Sequence, residues 1–392
     1  MKLKRKAVIV VFVLVLTIGN FLWAGTEDND FVIGKHINIK SGTLNQEREL
    51  LIYLPAGYET NDNKYPVIYL LDGGFHFHHA TGVVQFLASQ GRMPQTILVA
   101  IKNIDRNKDF LPTNTERIPT SGGAEDFLTF INKELIPHID ENYRTNPYRT
   151  LIGHSFGGTF TAYAFLENPN LFDSYIAISP YLHWDENLLV NKTKEFINRS
   201  YKQKSYNKNT FFYMTLGDEP DYVPAITEFT SLLEDKPLKY LEFHYTQMIE
   251  ETHGSIPHLT MYNGLEKLYD GWGLPRKKFE EGLPALDLHY KTISEKYNYE
   301  IQTPEGIINM AGYAHLQKEE VEKAIEVFAE NVKRFPESAN VYDSLGDAYE
   351  NNKQLKLAEE NYAKACNLAD KDDPALKIFQ ENLKRVQEAL KK

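Results

Sequence analysis

The residues best placed to do chemistry lie in Thr150-Leu151-Ile152-Gly153-His154-Ser155-Phe156-Gly157-Gly158, a G-x-S-x-G pattern centred on Ser155. A serine hydroxyl is a weak nucleophile until a neighbouring base takes its proton. The oxyanion that then forms must be met by fixed hydrogen-bond donors. The glycines permit a sharp strand-to-helix turn that presents the hydroxyl to a cleft. Residues 148–152 read as the strand entering that turn, and residues 159–167 as the helix leaving it. The same five residues also occur in plain glycine turns. The reading therefore depends on finding an acid and a histidine further along the chain, in that order.

Both are present. His253 lies in Glu251-Thr252-His253-Gly254-Ser255, a polar loop after an apolar run, and is the candidate base. His258 is the second choice, and His154, inside the turn, is assigned to the pocket wall. The acid must hold the imidazole tautomer and stabilise the imidazolium. Leu216-Gly217-Asp218-Glu219-Pro220-Asp221 follows a buried-strand run and offers three carboxylates. Glu219 is preferred, then Asp221, then Asp218. The N–H after the nucleophile, on Phe156, is one oxyanion donor. The other is placed at Gly74 in Asp72-Gly73-Gly74, with Phe75 as second choice. His76-Phe77-His78-His79 clusters imidazoles, but no acid or cysteine stands at ligand spacing from them. They are read as walls beside the oxyanion turn, and no metal or cofactor is assigned.

Elements that could carry these groups follow from the apolar pattern. Residues 66–71, 96–101, 174–179 and 211–216 are short continuous apolar runs, as buried strands of a parallel sheet require. Residues 31–39, 49–54 and 238–245 complete the strands. Residues 124–143 and 259–269 have helical spacing. Strands alternating with helices predict an α/β fold with a mainly parallel sheet covered on both faces.

A length of 392 residues suggests two domains, and 42% hydrophobic content supplies a large core. The net charge of −11 argues against nucleic acid as a partner. Residues 1–24 combine Lys2, Lys4, Arg5 and Lys6 with a following apolar run, the pattern of a signal peptide, with an uncleaved membrane anchor as the alternative. The expected location is periplasmic or secreted. Cys366 is the single cysteine, so no intrachain disulfide can form; it is read as a small buried hydrophobe. Residues 31–272 are expected to form the main domain and 273–306 a connector. In residues 307–392, Gly312, Ala324 and Phe328 recur as Gly346, Ala358 and Tyr362 after 34 residues. That period resembles the tetratricopeptide repeat, a helical module open to a protein or peptide partner. A last helix after Pro374 reads as its cap.

The main domain resembles the esterase D-like α/β-hydrolases, which include enterochelin and bacillibactin esterases. The marks are Leu71-Asp72-Gly73, Asp105-Arg106, Asp109-Phe110-Leu111-Pro112, Ser121-Gly122-Gly123-Ala124, the turn around Ser155, Ser179-Pro180 and Glu251-Thr252-His253-Gly254. The resemblance implies hydrolysis of a small-molecule ester by Ser155 and His253 without a cofactor, and leaves the acid open among Glu219, Asp221 and Asp218. It also implies basic residues around an anionic ferric siderophore, for which Arg106 is the available side chain. Acyl transfer to an alcohol, as in the related mycolyltransferases, and a non-catalytic adaptor built on the repeats are the alternatives.

Overall fold

The computed structural model describes residues 31–203 and 208–391; the leader read at residues 1–24 lies outside them. Eight strands form one sheet: β1 (Lys35–Ser41), β2 (Gln46–Tyr53), β3 (Tyr65–Leu70), β4 (Ile97–Ile101), β5 (Thr145–His154), β6 (Ser174–Ile178), β7 (Thr210–Leu216) and β8 (Leu241–Gln247). Their spatial order is β1-β2-β4-β3-β5-β6-β7-β8. The pairings of β1 with β2 and of β2 with β4 are antiparallel, and those from β4 to β8 are parallel. Strands β3, β4, β6 and β7 are buried along their whole length. This is why their sequences are continuous apolar runs rather than alternating ones.

After β3 the chain crosses to β4 on one side, then returns to place β5 on the other. Ligands of open α/β sheets bind outside the carboxyl ends of strands at such a reversal. Here those ends carry Asp72-Gly73-Gly74 and His154-Ser155.

Helices cover both faces. Phe156–Glu167, Trp184–Gln203 and Val223–Asp235 contribute Phe160, Phe165, Leu189, Phe196 and Phe229 to one core. The helical stretch at residues 124–142 joins them and widens to a π-turn at Ile131–Leu135. Pro137 lies in the next turn and has no N–H for the regular ladder. Gly73–Ser89 and Ile256–Leu268 cover the opposite face with Val83, Leu87, Met261 and Leu265.

The segment expected to be a connector is more than a tether. Its helix Leu283–Tyr297 buries Tyr290, Ile293 and Tyr297 in the second core. The Tyr297 ring lies 5.3 Å from those of both Tyr148 and Tyr269, and its hydroxyl donates to the Leu268 carbonyl at 3.0 Å. Four helices follow, Glu305–Gln317, Val321–Arg334, Ala339–Asn351 and Leu355–Leu368, with Leu376–Leu390 as the cap. Gly312 and Gly346 explain the repeat physically. A Cβ on Gly312 would collide with the Phe328 ring, and one on Gly346 would lie 2.6 Å from Tyr362, so each glycine lets its helix pair close on an aromatic. The first repeat docks on the connector helix through Leu286, Ile308, Ala311 and Val327 and through an Arg334–Asp287 ion pair at 2.7 Å. Cys366 is half-buried, more exposed than its sequence context suggested.

Truncating a buried aromatic side chain typically costs about 3–5 kcal/mol. Tyr297→Ala is therefore expected to lower the urea midpoint of the sheet's unfolding, followed by tryptophan fluorescence. An unchanged midpoint would mean that the connector helix adds nothing to this core.

Candidate active site

Ser155 occupies φ 59°, ψ −118°, between the last residue of β5 and the first of Phe156–Glu167. A positive φ is rare for a side-chain-bearing residue and persists only where the surroundings impose it. The surroundings here are tight. The Ser155 N–H donates to the Ile178 carbonyl at 2.9 Å. A Cβ on Gly153 would collide with the Gly157 carbonyl, and one on Gly158 would lie 2.8 Å from the Ile178 oxygen. The glycines of the pattern are thus required by close backbone approach.

Glu219 follows β7 and caps a short 3-10 turn, Pro220–Tyr222. Its Oε1 lies 2.5 Å from His253 Nδ1. Its Oε2 accepts from Ser179 Oγ at 2.5 Å and from the Gly217 N–H at 3.1 Å. The side chain is only 8% exposed. Burial pushes this carboxyl up, but the hydrogen bonds from His253, Ser179 and Gly217 outweigh it and hold it below the ordinary glutamate range. Asp218 and Asp221, the other acids of the same turn, are exposed.

His253 sits in the loop between β8 and Ile256–Leu268. Its ring packs against His154 at 4.5 Å and Tyr222 at 5.8 Å between centroids. The imidazole therefore lies beside the residue that precedes Ser155, with one nitrogen engaged by Glu219. His258, the second choice for the base, is on the next helix with its ring 5.5 Å from His79.

The stretch after β3, expected as a glycine turn, is instead the start of the helix Gly73–Ser89. As its second residue, Gly74 has no intrahelical acceptor for its N–H. Nothing lies within 4 Å of where its Cβ would stand, so the position is open. The Phe75 N–H is already bonded to the Asp72 carbonyl at 2.9 Å. Phe156 likewise opens its own helix, so two free helix-terminal donors flank the serine turn.

His76 and His79 share one face of Gly73–Ser89, with Nδ1 of the first 2.9 Å from Nε2 of the second; His78 is exposed. His76 also contacts His154, ring to ring at 5.4 Å. Burial, reinforced by neighbouring imidazoles, pushes His79 down to about 4 and His154 to about 3. Both are neutral at pH 7. Among the described residues no group of three or more His, Cys, Asp or Glu side chains could hold a metal.

Two features carry no assignment from the sequence, and a third, Arg106, has a partner that the sequence does not show. Ser179, from the Ser179-Pro180 pair, holds the acid. Tyr181 and Tyr222, with rings 5.2 Å apart, make an aromatic wall that reaches Phe156 at 5.9 Å. Arg106 is not a free cation for an anionic substrate, because its guanidinium is engaged by Asp72 at 2.7 Å and 3.2 Å.

An eight-stranded, mostly parallel sheet with a serine on a strained strand-to-helix turn at its reversal point defines an α/β-hydrolase. The chain belongs to the family described as "Putative esterase", whose model matches residues 41–253, and a tetratricopeptide repeat model matches residues 339–372. It is 32% identical over 211 residues to the ferri-bacillibactin esterase BesA of Bacillus subtilis, covering 45% of this chain and 69% of that one. An IroE-like serine hydrolase from Shewanella oneidensis superposes with a TM-score of 0.67 at 26% identity, over 77% of this chain and 99% of the other. A protein from Capnocytophaga ochracea, 19% identical, shares the fold over 90% of this chain and 99% of its own, with a TM-score of 0.62. The protein is a carboxylic ester hydrolase with C-terminal tetratricopeptide repeats.

The depressed Glu219 carboxyl gives a pH signature. Its contribution to stability is present above the unfolded glutamate value and is lost as pH falls through the lower folded value. Glu219→Gln is expected to reduce the urea midpoint at pH 7 and to reduce it much less at pH 3. A midpoint difference that stays constant across the acid range would contradict this account.

Proposed function

We propose that the protein is a serine esterase in which Ser155 is the nucleophile, His253 the general base and Glu219 the acid that orients it. The observation that carries this reading is the Glu219 carboxylate, held by Ser179 and Gly217 on one oxygen and meeting His253 Nδ1 with the other. Of the three acids in that turn, only Glu219 combines burial with contact to the histidine.

In this mechanism Ser155 Oγ attacks the ester carbonyl carbon, and its proton passes to His253 Nε2. The carbonyl oxygen becomes an anion that the Gly74 and Phe156 N–H groups receive. Collapse of the tetrahedral species breaks the bond to the alcohol, which leaves with the proton from His253. Water then gives a proton to His253 and attacks the acyl-serine; the acyl–Oγ bond breaks, His253 returns the proton to Ser155 Oγ and the acid is released. Glu219 stays ionised throughout and stabilises the imidazolium.

The substrate is a small-molecule ester. The relative named as a ferri-bacillibactin esterase makes siderophore esters the first class to assay, with carbohydrate esters beside them. For a ferric anion, Arg106 offers only what its pairing with Asp72 and the His154 carbonyl leaves exposed. The leader pattern of residues 1–24 supports export, and the tandem repeats support a protein or peptide partner.

Ser155→Ala is expected to reduce turnover of short p-nitrophenyl esters by at least about 10⁴-fold, since loss of a triad member leaves only binding and oxyanion contributions. The variant should fold normally by circular dichroism and resist a fluorophosphonate that labels the wild type. Wild-type turnover by a folded Ser155→Ala protein would sink the assignment.

A further inference from the structure

Asp72 connects the two sides of the cleft. It has left-handed backbone angles (φ 54°, ψ 40°) and caps Gly73–Ser89, the helix that presents the Gly74 N–H. Its side chain is 3% exposed. Oδ1 accepts from Arg106 Nε at 2.7 Å and from Asn103 Nδ2, and Oδ2 accepts from Arg106 Nη2 at 3.2 Å. A Cβ on Gly157 would lie 3.0 Å from the same Oδ2, so this carboxylate also packs against the first turn of the nucleophile helix. Arg106 Nη2 donates in addition to the His154 carbonyl at 3.0 Å, one residue before Ser155. The guanidinium carbon lies 5.2 Å from the Phe156 ring centre and 5.7 Å from that of Phe110.

Arg106 is itself firmly held. It opens the short helix Arg106–Phe110, which Asp105 Oδ1 caps by accepting from the Asn107 and Lys108 N–H groups. That helix is pinned to β2 by a buried Asp109–Arg48 ion pair at 2.6 Å. One rigid guanidinium therefore joins the end of β3 to the end of β5. The two oxyanion donors start from those ends.

The charges matter as much as the distances. A buried carboxylate beside the oxyanion hole would repel the negative charge that develops there, and low local polarity strengthens such repulsion. Arg106 cancels it. We propose that Arg106 is a positioning residue: it fixes the Gly74 and Phe156 donors relative to each other and neutralises Asp72 so that the hole can accept an anion. The proposal rests on the serine-esterase reading above.

The test compares kcat, KM and urea midpoint for p-nitrophenyl butyrate in the full-length protein, Arg106→Met, Arg106→Lys, Asp72→Asn and the Asp72→Asn/Arg106→Met double variant. Arg106→Met is expected to lower kcat by roughly 10- to 100-fold, with KM changed by less than about threefold, as for an interaction made in the transition state. Arg106→Lys keeps the charge without the fork and should fall between. The double variant should be at least about fivefold faster than Arg106→Met, because the uncompensated carboxylate is gone. A double variant no faster than Arg106→Met would overturn the charge argument. A loss confined to KM, or one that merely follows the fraction unfolded at the assay temperature, would overturn the positioning role. If Arg106→Met does not fold, Arg106→Lys with wild-type kcat would also overturn it. Absence of fluorophosphonate labelling of Ser155 in the wild type would instead remove the triad reading; normal labelling with unchanged Arg106→Met kinetics would remove only this proposal.

Discussion

The structure depends on one steric constraint, the approach of the backbone on both sides of Ser155. With φ at 59°, this residue can persist only if the strand before it and the helix after it almost touch. Gly153 faces the Gly157 carbonyl and Gly158 faces the Ile178 carbonyl, with no room for a methyl group at either place. Strand β6 supplies the hydrogen bond that closes the turn. The burial of β5 between β3 and β6 is thereby converted into a fixed direction for one hydroxyl. The topology puts a second helix start, at Gly73, on the neighbouring strand end, so two helix N-termini flank the turn.

Charge is distributed around this turn with economy. Glu219 and Asp72 are the buried carboxylates of the cleft, and each is met by hydrogen-bond donors from more than one segment. The imidazoles of His76, His79 and His154 are packed close enough that protonating one disfavours protonating the next, and burial keeps His79 and His154 neutral. The cleft therefore holds several histidines without building up positive charge.

Much of this was legible in the sequence, for identifiable reasons. Strands buried on both faces announce themselves as apolar runs, and all of those expected in the main sheet form. The serine turn was legible because close backbone contact demands glycine at fixed spacing. Glu219 could be picked from its turn but not separated from Asp218 and Asp221 by spacing alone; burial and the contact with Ser179 distinguish it. The helix Gly73–Ser89 is not legible because three glycines and three histidines mask its apolar face, carried by Ala80, Val83, Val84 and Leu87. The family resemblance offers Arg106 as the available cation for an anionic substrate; its partner Asp72, 34 residues away in the chain, is not legible in the sequence. The weight of the connector is not legible in the sequence because Tyr290, Ile293 and Tyr297 look like an ordinary amphipathic stripe until the sheet face they cover is known.

Strand β5 carries Tyr148 near one end and leads to Ser155 at the other. Tyr148 packs on Tyr297, whose helix in turn seats the first repeat. One helix therefore meets the hydrolase through a floor of aromatic rings and the repeats through an aliphatic seam. In a lineage that shuffles modules, a crossover just after Trp272 would leave that floor bare. A viable exchange of repeats would have to carry Leu283–Tyr297 with it, so the heritable unit is longer than either module seen alone.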